Sequence, residues 1–170
     1  MGFSKKSLDD SLVKNFVVKM MKDTFNINVH INPEHNKIDL LCDDDPDFGI
    51  EVEHGKWENN FWENDTYSLI SKQGFRTINI PIRKHKYWLD EHKGKPNSRA
   101  EKNIFVRTNK DFTQFILIRP ETVRDDKKLL ITRFVPSNTN LLEDWMSFRR
   151  EHVETYDLVD GKFVLKNVEN

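Results

Sequence analysis

Leu8, Leu12, Val13, Phe16, Val17, Met20 and Met21 recur at three- and four-residue spacing near the start of the chain. That period gathers them on one stripe of a helix over about residues 8–24. An apolar stripe of this kind needs a sheet or a second helix to cover it. Ser7 reads as the N-cap, with Asp9 and Asp10 in the positive first turn.

The residues that follow supply the cover. Ile27, Val29 and Ile31 alternate as a short strand, and residues 33–36 make a turn. Ile38, Leu40 and Leu41 form a second strand ending in the acidic turn Asp43-Asp44-Asp45-Pro46-Asp47. Phe48, Ile50 and Val52 alternate in a third, so the second and third strands read as an antiparallel hairpin. Residues 59–73 read as a helix with Trp62, Leu69 and Ile70 on its buried side and Gly74 at C′. Ile78, Ile80 and Ile82 make a fourth strand, which completes an α-β-β-β-α-β order.

Residues 84–103 are polar and read as a loop or arm. Residues 104–107 and 112–118 predict a hairpin, and 129–135 another strand. Residues 140–153 read as a helix packing Leu141, Leu142, Trp145, Met146 and Phe148. Asp160-Gly161 between 156–159 and 162–165 is a type I′ hairpin signal. The expectation is a single mixed α/β domain over 1–170. Within it, 7–82 form the core, 83–103 a basic loop and 104–170 a C-terminal extension. A chain of 170 residues suits one domain with a real core. It is polar, at 36% hydrophobic and 32% charged, yet its twelve Phe, four Trp and three Tyr argue against disorder.

Cys42 is the only cysteine, which excludes an intramolecular disulfide and a Cys-based zinc site. It reads as buried rather than nucleophilic. The apolar runs are too short to span a membrane. The start is expected to lead into a charged amphipathic stretch and not a signal h-region, and Lys6 stands where a myristoylation motif requires Ser or Thr. The expectation is a soluble cytoplasmic protein.

Strand side chains alternate between two faces. With Ile50 and Val52 facing the core, Glu51 and Glu53 share the opposite face, and Asp39 can lie across the hairpin from them. Two unit charges about 5 Å apart cost roughly 3 kcal/mol at an effective dielectric of about 20. Protons or a cation must offset that cost, and hard oxygen donors suit Mg²⁺ or Mn²⁺. Such an ion activates water and stabilises charge on a phosphodiester. The plain alternative is an exposed polar strand face.

The element order, with Asp39 on the second strand and Glu51-Val52-Glu53 on the third, resembles the PD-(D/E)XK nuclease superfamily over residues 7–82. The resemblance implies a restriction-endonuclease-like core, an Mg²⁺- or Mn²⁺-dependent endonuclease activity on DNA, and a metal-binding pair in Asp39 and Glu51. Glu53 stands where the family usually has a catalytic Lys. Its role stays open between general base, metal ligand and mark of an inactive site. Lys56, at the strand end, and Lys72, on the following helix, are candidates for a displaced positive charge. Asp47, in the literal Pro46-Asp47 pair, lies in the turn, four residues before Glu51, and is the less suitable acid. Members of the superfamily often dimerise to cut both strands, so a homodimer is a further implication.

Charge is segregated along the chain. Residues 39–65 hold ten acids against one base, and 71–110 hold eleven bases against three acids. The net charge of −1 thus conceals an acidic centre beside a basic segment suited to phosphates. Arg83, Lys84 and Lys86 are expected to contact phosphate without reading sequence, and Lys93, Lys95, Arg99 and Lys102 continue the run. Tyr87 and Trp88 either stack on bases or pack in the core. DNA is the expected partner, with RNA still open.

Other chemistries are less well supported. His30, Glu34, His35 and Asp39 lack the spacing of a helical zinc motif. His85, His92 and Asn97 only faintly suggest an HNH nuclease. No phosphate-cradling glycine loop or Gly-x-Ser-x-Gly motif occurs. Two competing classes stay open: a non-catalytic binding or structural protein on a degenerate nuclease-like fold, and a protein–protein adaptor, which would expose an apolar patch.

Overall fold

The computed structural model describes residues 5–34, 38–45, 48–81, 103–125, 127–134 and 143–166. Helix α1 runs Lys5–Phe25 and buries Val13, Val17, Met20 and Met21. Leu12 is exposed, so the buried stripe is narrower than its periodicity predicts. The helix already runs at Lys5, which puts Ser7 inside it and not at the N-cap. It ends where Asn26 turns left-handed at φ 55°, with the Asn26 and Ile27 N–H groups reaching back to the Lys22 and Met21 carbonyls.

Eleven strands follow among the described residues. They are β1 Val29–Ile31, β2 Leu40–Cys42, β3 Gly49–His54, β4 Ser68–Ile70, β5 Arg76–Pro81, β6 Asn103–Thr108, β7 Gln114–Ile118, β8 Leu130–Phe134, β9 Glu143–Arg149, β10 Glu154–Val159 and β11 Lys162–Leu165. Seven form one mixed sheet in the order β1-β2-β3-β6-β7-β10-β11. Its β3–β6 pair is parallel, and its other described pairs are antiparallel. Four form a second, antiparallel sheet in the order β4-β5-β9-β8.

Strand alternation divides the core into two layers. On one face of the large sheet Leu40, Ile50, Ile104, Val106, Phe115 and Leu117 pack against Val17, Met20 and Met21 of α1. On the other face Phe105, Ile116 and Ile118 meet Ile78, Ile80, Met146 and Phe148 of the small sheet. Trp57, Phe61 and Trp62 complete that second core. Each fully buried Phe, Ile or Met contributes about 1.5–3 kcal/mol. The architecture is therefore helix on sheet on sheet, a mixed α/β fold with few helices.

Two expected helices are corrected. Over 59–73 only α2, Phe61–Asn64, is helical, started by Asn60 Oδ1 accepting from the Trp62 N–H. Trp62 is buried as expected. Leu69 and Ile70, expected to be buried, are 41% and 60% exposed on edge strand β4. Gly74, at φ +90°, serves the β4–β5 turn and not a helix C-terminus. Residues 143–149, within the expected second helix, form β9, flanked by β5 and β8. Trp145 and Met146 with Phe148 fit helical spacing, yet in β9 Trp145 lies on one face and Met146 and Phe148 on the other, so periodicity does not separate the two states here. Leu141 and Leu142 lie outside the described residues.

The fourth strand is also reassigned. Residues 76–81 are a strand as predicted, but they belong to the small sheet. The strand that lies parallel beside β3 is β6, reached after α2, β4 and β5. Further expectations hold within the described residues. The β1-β2-β3 meander is antiparallel, β6 and β7 form a hairpin, and β8 lies at Leu130–Phe134. Asp160 and Gly161 both take positive φ in the β10–β11 turn, as a type I′ turn requires. Cys42 is half-buried beside the α1 core. No helix among the described residues is long and apolar enough to cross a membrane.

Candidate active site

The hairpin register decides where Asp39 falls. Leu40 pairs with Ile50 and Leu41 with Gly49, so the next step of the same register puts Asp39 opposite Glu51. The β2–β3 ladder ends there, while β3 continues to His54 along β6. The free edge of β3 receives a side chain in place of a strand: the Val52 N–H donates to Asp39 Oδ2 at 2.9 Å. The Asn32 N–H donates to the Asp39 carbonyl at 2.9 Å, which fixes the same residue from the β1 side. The expected convergence of Asp39 and Glu51 is thus what the fold produces.

The electrostatics of this corner are unusual. Burial pushes the Glu51 carboxyl up to about 9 from its ordinary 4.5. The Asp39 charge and a shared hydrogen bond with Asp39 add to the rise, followed by the Glu53 charge. Lys14 of α1 opposes it. The Lys14 ammonium lies 3.4 Å from Asp39 Oδ1. Glu51 Oε2 is buried and has no hydrogen-bond partner among the described residues. At neutral pH the Glu51 carboxyl therefore keeps its proton.

Glu53 shares the strand face of Glu51, yet its oxygens are engaged elsewhere. Register places it beside Arg107 of β6, whose Nη1 donates to Glu53 Oε2 at 2.8 Å. Arg107 Nε and Nη2 donate to Asp65 Oδ2 and Oδ1 at 3.0 and 2.9 Å. The guanidinium lies 4.0 Å from the centre of the Tyr67 ring, and the Tyr67 hydroxyl donates to Glu53 Oε1 at 3.4 Å. Burial would lower Arg107, but the Asp65 hydrogen bonds and the Asp65 and Glu53 charges outweigh it and raise it. Burial and then the Glu53 charge push the Tyr67 hydroxyl up. Arg107 therefore stays charged and Tyr67 neutral.

No three His, Cys, Asp or Glu side chains are grouped as a metal-ligand set among the described residues. What remains at the ladder end is two carboxyls with one orphaned oxygen. That suits Mg²⁺, which keeps several waters and takes one or two carboxylates plus substrate phosphates.

The other predicted residues are dispersed. Lys56 is exposed just beyond β3. Lys72, expected on a helix, is exposed on the β4–β5 turn. Neither makes an ion pair with Asp39 or Glu51 among the described residues. Arg83, Lys84, Lys86, Tyr87, Trp88, Arg99 and Lys102 lie outside the described residues, as do His35 and Asp47. His30 Nδ1 lies 2.7 Å from Asp43 Oδ1, so it pairs along the β1–β2 hairpin.

Lys14, Asp65, Tyr67 and Arg107 were not legible as site residues. Arg107 had one local signal, a cation on the Phe105 face of an otherwise apolar strand. Lys14 had none beyond its place on α1, one residue after the buried Val13. The chain matches no protein-family model and no curated protein sequence.

Proposed function

We propose that this chain is a metal-dependent nuclease that hydrolyses phosphodiester bonds in DNA, built on a restriction-endonuclease-like core. The observation that carries the reading is the Asp39–Glu51 pair. Two carboxyls stand at the end of a strand ladder, one of them with a buried oxygen that has no partner among the described residues. Burial of an acid without compensation is costly, and such costs concentrate where a protein has chemistry to perform.

Asp39 and Glu51 would hold Mg²⁺ or Mn²⁺. A divalent ion at such a site lowers the pKa of bound water and offsets charge on the phosphoryl oxygens. The chain's own residues set the geometry. The Val52 N–H holds Asp39 in place, and Glu51 must release its proton to act as an anionic ligand. Glu53, held by Arg107 and Tyr67, braces the end of β3. In the reaction a water oxygen bonds to phosphorus and an ester P–O bond breaks. The departing oxygen takes up a proton, giving a phosphomonoester and an alcohol. The basic segment 83–102 supplies phosphate contacts through Arg83, Lys84, Lys86, Arg99 and Lys102.

The test is cleavage of single-stranded and duplex DNA with Mg²⁺, Mn²⁺ or EDTA, run beside Glu51→Ala. The reading expects cutting that needs the ion and falls at least about 100-fold in the variant. Cutting in EDTA, or equal cutting by Glu51→Ala, contradicts it. One observation favours a second reading, a non-catalytic protein on the same fold: the ion pair with Lys14 already offsets the charge of Asp39. That reading expects no cutting on any substrate and no gain in stability with either ion.

A further inference from the structure

Resting on the hydrolase reading above, we propose that Lys14, carried on α1, is the phosphate-facing cation of this site. Its ammonium would donate to a nonbridging oxygen of the phosphodiester under attack.

Position 53 carries a carboxylate, so β3 itself brings no positive charge to Glu51. Arg107 is near in register but is only 9% exposed and is already bound by Nε and Nη2 to Asp65 and by Nη1 to Glu53. Lys56 and Lys72 stand exposed on turns. Lys14 differs from all three. Its ammonium is 3.4 Å from Asp39 Oδ1. It makes no other ion pair or hydrogen bond among the described residues, so two of its three N–H donors remain available. Its side chain is 24% exposed and that of Asp39 19%, so the ion pair is partly open to solvent, where a phosphate arriving from outside can reach it.

A lysine suits this position. It is a compact charge on a flexible four-carbon stem and can leave Asp39 for a phosphate without a backbone change. As negative charge builds on the phosphoryl oxygens, the Lys14 ammonium offsets it in a partly desolvated corner. Helix α1 thereby has two tasks: one side covers the sheet, and Lys14 reaches the ladder end.

The test compares wild type, Lys14→Met, Lys14→Gln and Lys14→Arg. It uses Mn²⁺ affinity from the rise in melting temperature, and DNA cleavage in Mn²⁺. Lys14→Met and Lys14→Gln should bind Mn²⁺ at least as tightly as wild type, because the competing ammonium is gone. Their cleavage should fall about 100-fold or more, and Lys14→Arg should recover part of it. Either neutral variant that folds and cuts at the wild-type rate overturns the proposal, since Lys14 then only neutralises Asp39. Loss of Mn²⁺ binding together with cleavage also overturns it, by showing that Lys14 acts on the carboxylates and not on the phosphate. A wild type that binds Mn²⁺ and cuts nothing, or does neither, sinks the hydrolase reading itself and this inference with it.

Discussion

Glu51 carries a carboxyl whose charged form is opposed by burial first and by Asp39 second. In the unfolded chain it titrates at an ordinary 4.5, and in the fold at about 9. Between those values the folded protein keeps a proton that the unfolded chain has released. The contribution of Glu51 to stability is therefore full below 4.5 and is lost as pH rises through about 9. Glu51→Gln cannot ionise. In EDTA the variant and wild type should melt together near about pH 4.5, with the variant increasingly the more stable by about pH 9. Thermal unfolding across that range measures the gap, and parallel profiles would contradict the assigned cause. Added Mn²⁺ should stabilise wild type and leave the variant unchanged. Asp39 and Glu51 were readable as a pair because both period-two alternation and hairpin register are local properties. Lys14, Asp65 and Tyr67 were not, because their roles depend on how distant segments pack.

Strands β3 and β6 meet the α2–β4 connection through Arg107. One guanidinium joins Glu53 of β3 to Asp65 at the end of α2, with Tyr67 stacked against it. These side chains are largely buried, so the network is costly to break from one side. Arg107→Met should lower stability to urea by about 3–5 kcal/mol, because two carboxylates are left uncompensated. Asp65→Asn in that background should return part of the loss. A loss under about 1 kcal/mol would mean that the charges are screened as at a surface. Element-level legibility followed the same division. The β1-β2-β3 meander and the β10–β11 turn carry their signals within a few residues. The predicted helix over 59–73 failed because β4 is recruited as an edge by β5, and Leu69 and Ile70 gain no burial from it. The predicted helix over 140–153 failed because β9 is a central strand, paired on both edges.

Across the whole molecule, the two sheets sit on opposite sides of one question. The large sheet places Asp39 and Glu51 at the end of the β2–β3 ladder, and α1 brings Lys14 to the same point. The small sheet packs against Phe105, Ile116 and Ile118 on the face shared by Glu51 and Glu53, while Arg107 of β6 and Asp65 at the end of α2 hold Glu53 in place. The mixed α/β class was legible from the sequence, while the division into two sheets was not, because alternation alone does not say which strands pair. Leu158, Val159, Val164 and Leu165 are exposed on the β10–β11 hairpin, an apolar edge of the kind an adaptor would use. Asp39 and Glu51 are proposed to hold a divalent ion together. Titration of Mn²⁺ into the full chain, followed by the loss of the free-ion EPR signal, tests it beside Asp39→Asn and Glu51→Gln. Saturable binding in wild type, abolished or strongly weakened in both variants, is the predicted result. No binding in wild type, or binding that survives both substitutions, would contradict the account.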